Sequence, residues 1–300
     1  MIPSKAKISV LPIKENFLGL DKKYSSFDNS KIVILPCPYE KTTSYGKGTS
    51  KGPASIIKAS HYVEFFDEET EKEVCFRHGI CTLKPLSFKN VPVKKALDLI
   101  FSKIQTLITN GKFVVTIGGE HTISAAAIRA HFDLFPSLSI LHLDAHSDLR
   151  QEYEGSKYSH ASFAARVAEF TTKITQVGIR AQCKEEHEFI KEKKINTFYA
   201  HEIREAGFDN HIIEKIIATL NTNVYLTFDV DYFDPSIMPS TGTPEPNGFY
   251  WHETIKLLKA VARFKNLVGF DVVELAPNKL IPFPDFLTAK LIYKILNYKF

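Results

Sequence analysis

From Phe113 onward the chain alternates short apolar runs with stretches of helical periodicity, and this alternation limits the possible folds more than any other feature. The run at 113–117 reads as a strand, Gly118-Gly119 as a turn, and the residues through Ile128 as a helix. Further strands are expected at 139–143, 174–179, 197–200, 224–228 and 267–273. Helices are expected between them at 161–170, 185–194, 211–220 and 253–264, with a last one at 288–296. Repeated βα units with short connections predict an α/β fold, with one mainly parallel sheet covered by helices on both faces.

Upstream, Lys-Ile-Val-Ile-Leu-Pro at 31–36 predicts a buried strand. A loop rich in Thr, Ser, Gly and Lys follows at 41–52, then a helix from Pro53, a residue suited to a first helical turn. Ala96, Leu97, Ile100, Ile104 and Leu107 fall at helical spacing within 93–110, which ends at the stop signal Asn110-Gly111. Residues 1–30 are polar and read as an irregular N-terminal arm. No linker, repeat or low-complexity tract divides 31–300, so a single domain is expected there.

In such sheets ligands bind beyond the carboxyl ends of the strands. Three segments at those ends carry metal-ligating residues: Gly-Gly-Glu-His at 118–121, Leu-Asp-Ala-His-Ser-Asp at 143–148 and Phe-Asp-Val-Asp at 228–231. They supply His121, Asp144, His146, Asp148, Asp229 and Asp231, and Glu274 follows a fourth strand in the same way. Residues two apart on an extended chain share a face, so Asp144, His146 and Asp148 project together, as do Asp229 and Asp231. An isolated Asp-x-Asp after a strand is often only a helix cap, and a lone His beside Gly-Gly only a loop residue. Together, two imidazoles and four carboxylates are more hard ligand than one ion usually needs, and two adjacent divalent cations are expected. An oxygen-rich site with two imidazoles suits Mn²⁺ better than Zn²⁺ or Ca²⁺. Four carboxylates balance two divalent ions, and a bridging hydroxide would leave the cluster slightly negative, which favours a cationic substrate. His142 alternates away from these residues along its strand and reads as a core or supporting residue.

Composition excludes several other classes. The net charge of +4, from 38 basic and 34 acidic residues, is too small and dispersed to indicate nucleic acid. No apolar stretch reaches the roughly 18 residues that span a bilayer, so no membrane partner is expected. The N-terminus lacks the apolar core of a signal peptide. Cys37, Cys75, Cys81 and Cys183 show no Cys-x-x-Cys spacing and are expected as free thiols in a reducing cytoplasm. Cys75 and Cys81 could pair if a hairpin between them had the right geometry.

The sequence resembles the ureohydrolases, the family of arginase and agmatinase. The matching segments are Gly-Gly-Glu-His-Thr-Ile (118–123), Asp-Ala-His-Ser-Asp-Leu-Arg (144–150), Tyr-Ser-His-Ala-Ser (158–162), Phe-Asp-Val-Asp-Tyr-Phe-Asp-Pro (228–235), Thr-Gly-Thr-Pro-Glu-Pro (241–246) and Asp-Val-Val-Glu-Leu-Ala-Pro (271–277). Residues 42–53 are similar to the family's substrate loop. The resemblance implies a three-layer αβα fold and two Mn²⁺ per subunit. His121, Asp144, Asp148 and Asp229 would hold one ion, and His146, Asp144, Asp229 and Asp231 the other. A metal-bridging hydroxide would attack the guanidinium carbon, Asp148 would protonate the leaving amine, Glu274 would bind the guanidinium, and His160 would exchange protons with solvent. The family also implies a homo-oligomer, a trimer or hexamer.

Arg150, where arginase-like members usually carry Asn, is as in agmatinase-like members and is taken as a substrate-binding candidate. The expected function is a cytoplasmic agmatinase making putrescine and urea. N1-aminopropylagmatine, guanidinobutyrate and arginine are the alternative substrates, and a catalytically silent paralogue is a further alternative. Ser50 and the Asn-Gly-Phe-Tyr-Trp run at 247–251 depart from the family pattern near the expected pocket rim. A metallophosphoesterase would need Gly-Asp-x-His-Gly and Gly-Asn-His-Glu segments, and the sequence has neither.

Overall fold

The computed structural model describes residues 8–135 and 137–300; residues 1–7 of the expected arm lie outside the described residues. The strands are β1 (Ile32–Cys37), β2 (Ile80–Thr82), β3 (Phe113–Gly118), β4 (Ser139–Leu143), β5 (Ile174–Ile179), β6 (Asn196–Tyr199), β7 (Asn223–Asp229) and β8 (Asn266–Val273). They form one sheet in the order β2-β1-β3-β8-β7-β4-β5-β6, with every pair parallel.

Side chains alternate across the sheet with period two, and each strand feeds two cores. In β1, Ile32 and Ile34 join one core while Val33, Leu35 and Cys37 join the other. The first core is covered by helices Gly52–Ser60, Ala200–Ala206, Asn210–Thr219, Trp251–Phe264 and Phe283–Lys299. The second is covered by Val93–Thr109, Ser124–Phe132, Phe163–Ala168 and Lys184–Lys193. The result is the expected three-layer αβα arrangement around a parallel sheet. No helix among the described residues is long and apolar enough to cross a membrane.

The structure departs from expectation in places where the local signal was weak. The three-residue edge strand β2 and the short helix Val74–His78 are too brief to show a period. The last helix begins at Phe283, five residues earlier than the apolar spacing suggested. The segment read as an irregular arm forms short helical turns at Ile13–Glu15, Phe17–Gly19 and Lys22–Ser25 and buries Phe17, Leu18 and Leu20. Its backbone amides at Phe17 and Leu18 donate to Thr82 Oγ1 (2.8 Å) and Ser60 Oγ (2.7 Å), which ties it to the sheet edge and the first helix. Cys75 and Cys81 pack in the two different cores, on opposite faces of the sheet, and all four cysteines are free thiols.

The register also creates a polar row inside the apolar sheet. Thr116 pairs with Asp271, Asp271 with Thr227, Thr227 with His142, His142 with Gln176, and Gln176 with Thr197. Of these, Thr116, Asp271, Thr227, His142 and Gln176 are fully buried. The row lies just below the carboxyl ends of the four central strands β3, β8, β7 and β4.

Candidate metal centre

Those four adjacent strands deliver the residues marked in the sequence. β3 ends at Gly118, and Gly119 passes so close to Tyr39 that an added Cβ would lie 2.0 Å from its carbonyl oxygen. Only glycine fits there, and the turn carries Glu120 and His121 into the interior. β4 leads to Asp144, His146 and Asp148; β7 ends on Asp229, followed by Asp231; β8 leads to Glu274. Asp148 and Glu274 both hold left-handed backbone conformations, with φ of 51° and 65°. Strain of this kind in non-glycine residues persists only where the surroundings fix it.

At Asp148 the fixing group is Glu186, which is buried. Its Oε1 accepts hydrogen bonds from Ser147 Oγ (3.0 Å) and Leu149 N (2.9 Å), while Oε2 accepts from Cys183 N (2.7 Å). At Glu274 it is the His121 backbone, whose N–H donates to Glu274 Oε1 at 2.5 Å. Asp229 Oδ1 accepts from Asp231 N at 2.8 Å, which turns both carboxylates into one space.

Three carboxylate oxygens surround His121 Nδ1: Asp144 at 3.1 Å, Asp229 at 3.2 Å and Asp148 at 3.4 Å. His146 Nδ1 stands 2.9 Å from Asp231 and 3.6 Å from Asp144. Asp144 is thus common to two adjoining sets of donors. The state of His121 follows from its other nitrogen. Thr227 Oγ1 donates to Asp271 Oδ1 at 2.7 Å and so has no proton left for His121 Nε2, 2.8 Å away. Nε2 must be the donor, and in a neutral ring Nδ1 is then a bare lone pair. That nitrogen is buried and makes no hydrogen bond. A lone pair facing three carboxylates is repulsive unless a proton or a metal ion lies among them, and a donor set of one imidazole nitrogen and three carboxylate oxygens fits a metal ion.

The electrostatics point the same way. Burial opposes charge on His121, yet Asp144, Asp148 and Asp229 raise its pKa well above the ordinary histidine range, so that a proton takes the place among the carboxylates when no metal ion does. Burial, and then the charge of Asp144, pushes the Asp148 carboxyl up to about 7. Burial together with Asp231 and Asp144 raises Asp229 well above the usual carboxylate range. Asp144 goes the other way: against the effect of burial, His142, His121 and His146 hold it well below its usual value. Without cations these acids cannot all ionise in one dry site.

A cavity of about 490 Å³ opens on this cluster, lined by His146, Asp148, Asp229, Asp231, Glu274 and His160, with Ser44, Tyr153, Thr243 and Glu245 also present. His160 comes from the far side. Its backbone N–H donates to Thr42 Oγ1 (3.0 Å), its Nδ1 is 3.3 Å from the same oxygen, and its Nε2 is 3.4 Å from Ser44 Oγ. The six candidate ligands, Glu274 and His160 are therefore brought together. Arg150 lines the same cavity, but its Nε lies 3.8 Å from Glu186 and its guanidinium lies over the Tyr153 ring. Ser50 does not line it; its side chain and amide bond Glu40, which also takes Gly48 N, so Ser50 shapes the loop from behind. In the 247–251 run, Phe249 is buried against Tyr232 and Trp251 starts a helix, so those bulky residues serve packing more than the rim.

Sequence reasoning missed several supporting residues. Buried Glu120 accepts from Lys41 N (2.6 Å), Thr42 N (2.7 Å) and Thr42 Oγ1 (2.7 Å), and so docks the loop after β1 on the site. It stood inside a noted motif, but nothing local marked its partner. Arg180 donates to the carbonyls of Asp231 (2.6 Å) and Glu245 (3.0 Å), joining the Asp231 turn to the 241–246 segment. Glu186 and Gln176 likewise gain meaning only from partners distant in sequence.

Acidic and imidazole donors gathered above the middle of a parallel sheet form a site whose residues could hold a metal ion. Residues 30–297 match the sequence model of the arginase family. The chain is 38% identical over 279 residues to the N(1)-aminopropylagmatine ureohydrolase of Synechocystis sp., covering 91% of this chain and 90% of that protein. It is 35% identical over 264 residues to the agmatinase of Bacillus anthracis, covering 85% and 87% respectively. Among solved structures, the agmatine ureohydrolase of Thermoplasma volcanium superposes with a TM-score of 0.84 at 27% identity, over 95% of this chain and 94% of that one. The protein belongs to the arginase family and is a ureohydrolase.

Proposed function

We propose that the protein is a cytoplasmic, two-metal agmatinase that hydrolyses agmatine to putrescine and urea. The observation that carries this reading is the bare Nδ1 of His121 among three carboxylates, on a cavity that also contains Glu274. In this reading His121, Asp144, Asp148 and Asp229 hold one Mn²⁺, and His146, Asp144, Asp229 and Asp231 hold the second. When bound, the pair lowers the pKa of water and neutralises the carboxylates around it.

The chain's own residues do the rest. Glu274 has one oxygen fixed by the His121 amide and offers the other to the guanidinium, whose planar N–H groups and permanent charge suit a carboxylate. Held there, the guanidinium carbon meets the nucleophile without the entropic cost of a chance encounter. As the carbon–nitrogen bond to the alkyl chain breaks, Asp148 gives that nitrogen the proton it needs to leave as an amine. His160, fixed by Thr42 and Ser44, exchanges the proton with solvent. Glu245 lines the same cavity and suits the amine end of the substrate. Arg150 lines the cavity with its guanidinium directed to Glu186 and Tyr153, and in this reading the cationic tail is left to Glu245.

N1-aminopropylagmatine is the second reading, supported by the relative named for that substrate at 38% identity. Urea release with Mn²⁺ against agmatine, aminopropylagmatine, arginine, guanidinobutyrate and formiminoglutamate tests both. The highest kcat/KM is expected for agmatine; a preference for aminopropylagmatine selects the second reading, and a preference for arginine overturns both.

A further inference from the structure

Gln176 lies in the polar row beneath the site, paired with His142 on one side and Thr197 on the other. It is fully buried and bonded at every arm. Its Nε2 is 2.8 Å from Ser147 O and 3.1 Å from His142 Nδ1, and its Oε1 accepts from Thr197 Oγ1 at 3.1 Å. A backbone carbonyl can only accept, so the group facing Ser147 O is the NH₂, and the amide orientation is fixed. The same NH₂ faces His142 Nδ1, which must then accept. The ring is therefore neutral and carries its proton on Nε2, 2.7 Å from Asp144 Oδ2. Any other state of His142 sets two donors against each other at Nδ1 or two acceptors at Asp144, in a site without water to relieve either.

We propose that Gln176 is a positioning residue for the metal centre: it locks His142 in the Nε2–H tautomer, and His142 thereby orients the Asp144 carboxylate shared by the two ions. This rests on the metal-dependent reading above. The hydrogen bond to a carboxylate is charge-assisted; together with His146 N, which donates to Asp144 Oδ1 at 2.6 Å, it fixes the carboxylate with Oδ2 3.1 Å from His121 Nδ1 and Oδ1 3.6 Å from His146 Nδ1. Through Ser147 O, Gln176 also pins the backbone between His146 and Asp148. One amide thus supports ligands of both ions from behind.

The first test needs no variant. In metal-free protein labelled with ¹⁵N-histidine, His142 is expected to show a protonated Nε2 and a pyridine-type Nδ1; a protonated Nδ1 overturns the proposal. The second uses Mn²⁺ calorimetry on Gln176→Leu, His142→Phe and His142→Gln, each checked for folding by metal-free thermal unfolding. Affinity is expected to fall about 10- to 100-fold in the first two. Glutamine at 142 offers both an acceptor for Gln176 and a donor for Asp144, so partial recovery is expected there. Wild-type affinity in folded Gln176→Leu and His142→Phe overturns the proposal. Absence of Mn²⁺ binding by the wild-type protein would instead overturn the metal reading, while the ¹⁵N result would still stand on its own.

Discussion

Glu274 Oε1 accepts the backbone N–H of His121 at 2.5 Å, joining two residues 153 positions apart in the chain. The bond ties the end of β8 to the turn after β3, and it holds Glu274 in its left-handed conformation. One carboxylate oxygen is structural, and the other is left for a ligand.

That division predicts a separable phenotype. Glu274→Gln keeps an oxygen for the His121 amide but loses the charge opposite a guanidinium. Removing a charged hydrogen bond costs about 1.5–3 kcal/mol, so kcat/KM should fall by roughly 10- to 100-fold. Bound metal, measured by elemental analysis, should stay at the wild-type level. A loss of metal alongside activity would show that Glu274 acts through His121 instead.

Asp144 faces both imidazoles, Nδ1 of His121 at 3.1 Å and Nδ1 of His146 at 3.6 Å. Asp144→Ala should therefore deplete both ions, whereas Asp231→Ala, which faces only His146 at 2.9 Å, should spare the ion beside His121. Mn²⁺ stoichiometry by calorimetry distinguishes the two variants. Equal stoichiometry in both would refute the shared role of Asp144.

The raised carboxyls give the metal-free protein an inverted pH response. Asp148 titrates at about 7 in the fold, and Asp229 lies well above the usual range, whereas unfolded Asp titrates near ~3.9. Between those values the folded chain holds protons that the unfolded chain has lost, so stability falls as pH rises from about 4 toward 7. Asp67, held low by Lys294 against the effect of burial, gives the opposite trend, lost as pH falls below about 4. Mn²⁺ affinity should climb over the same upper window, because ligands must release protons to bind. Thermal unfolding in chelator at stepped pH, paired with Mn²⁺ titration, reads both trends. Buried His131, whose imidazole is pushed down to about 4, and His142 and His160, also held low by burial, give the opposite slope over part of this window, so the test compares the protein with Asp148→Asn: the variant should lose the fall, and an unchanged pH dependence would contradict the assignment.

Away from the site, Lys294 is buried on the last helix and bonded to Asp67 (2.8 Å) and Glu69 (2.8 Å). Lys294→Met would leave Asp67 as an unpaired buried charge, at a cost of about 3–5 kcal/mol. Chemical denaturation should show this loss, while KM and bound Mn²⁺ stay unchanged. A drop below 1 kcal/mol (about the worth of an exposed pair) would mean that water reaches Asp67 when the lysine is gone.

Much of this protein is written in local patterns. The apolar runs at 113–117, 139–143, 174–179, 224–228 and 267–273 all became strands of one parallel sheet, because a strand buried on both faces is mostly apolar, here interrupted only by the polar row of Thr116, His142, Gln176, Thr227 and Asp271 and by a few small or polar residues. The segments proposed to hold the metal were legible for a related reason: they follow those strands directly, and the ends of parallel strands face one crevice. Where no period had room to develop, the sequence was mute. Ile80–Thr82 is too short, and the polar segment containing Phe17 and Leu18 hides its buried residues among charged ones.

Chain order alone could not show that β7 and β8 insert between β3 and β4, and this insertion brings His121, Glu274, Asp229 and Asp144 onto adjacent strand ends. Nor could it show the supports: Glu186 behind Asp148, Glu120 under Thr42, and Gln176 behind His142. The sequence by itself determined which residues have metal-ligating chemistry and which segments are strands, since both are properties of neighbours along the chain. Only the tertiary structure decided the protonation of His121, the orientation of Asp144 and the strain at Asp148 and Glu274. Each of these is set by a hydrogen bond from a distant strand or helix, in an interior where an unmatched donor or acceptor has no water to turn to.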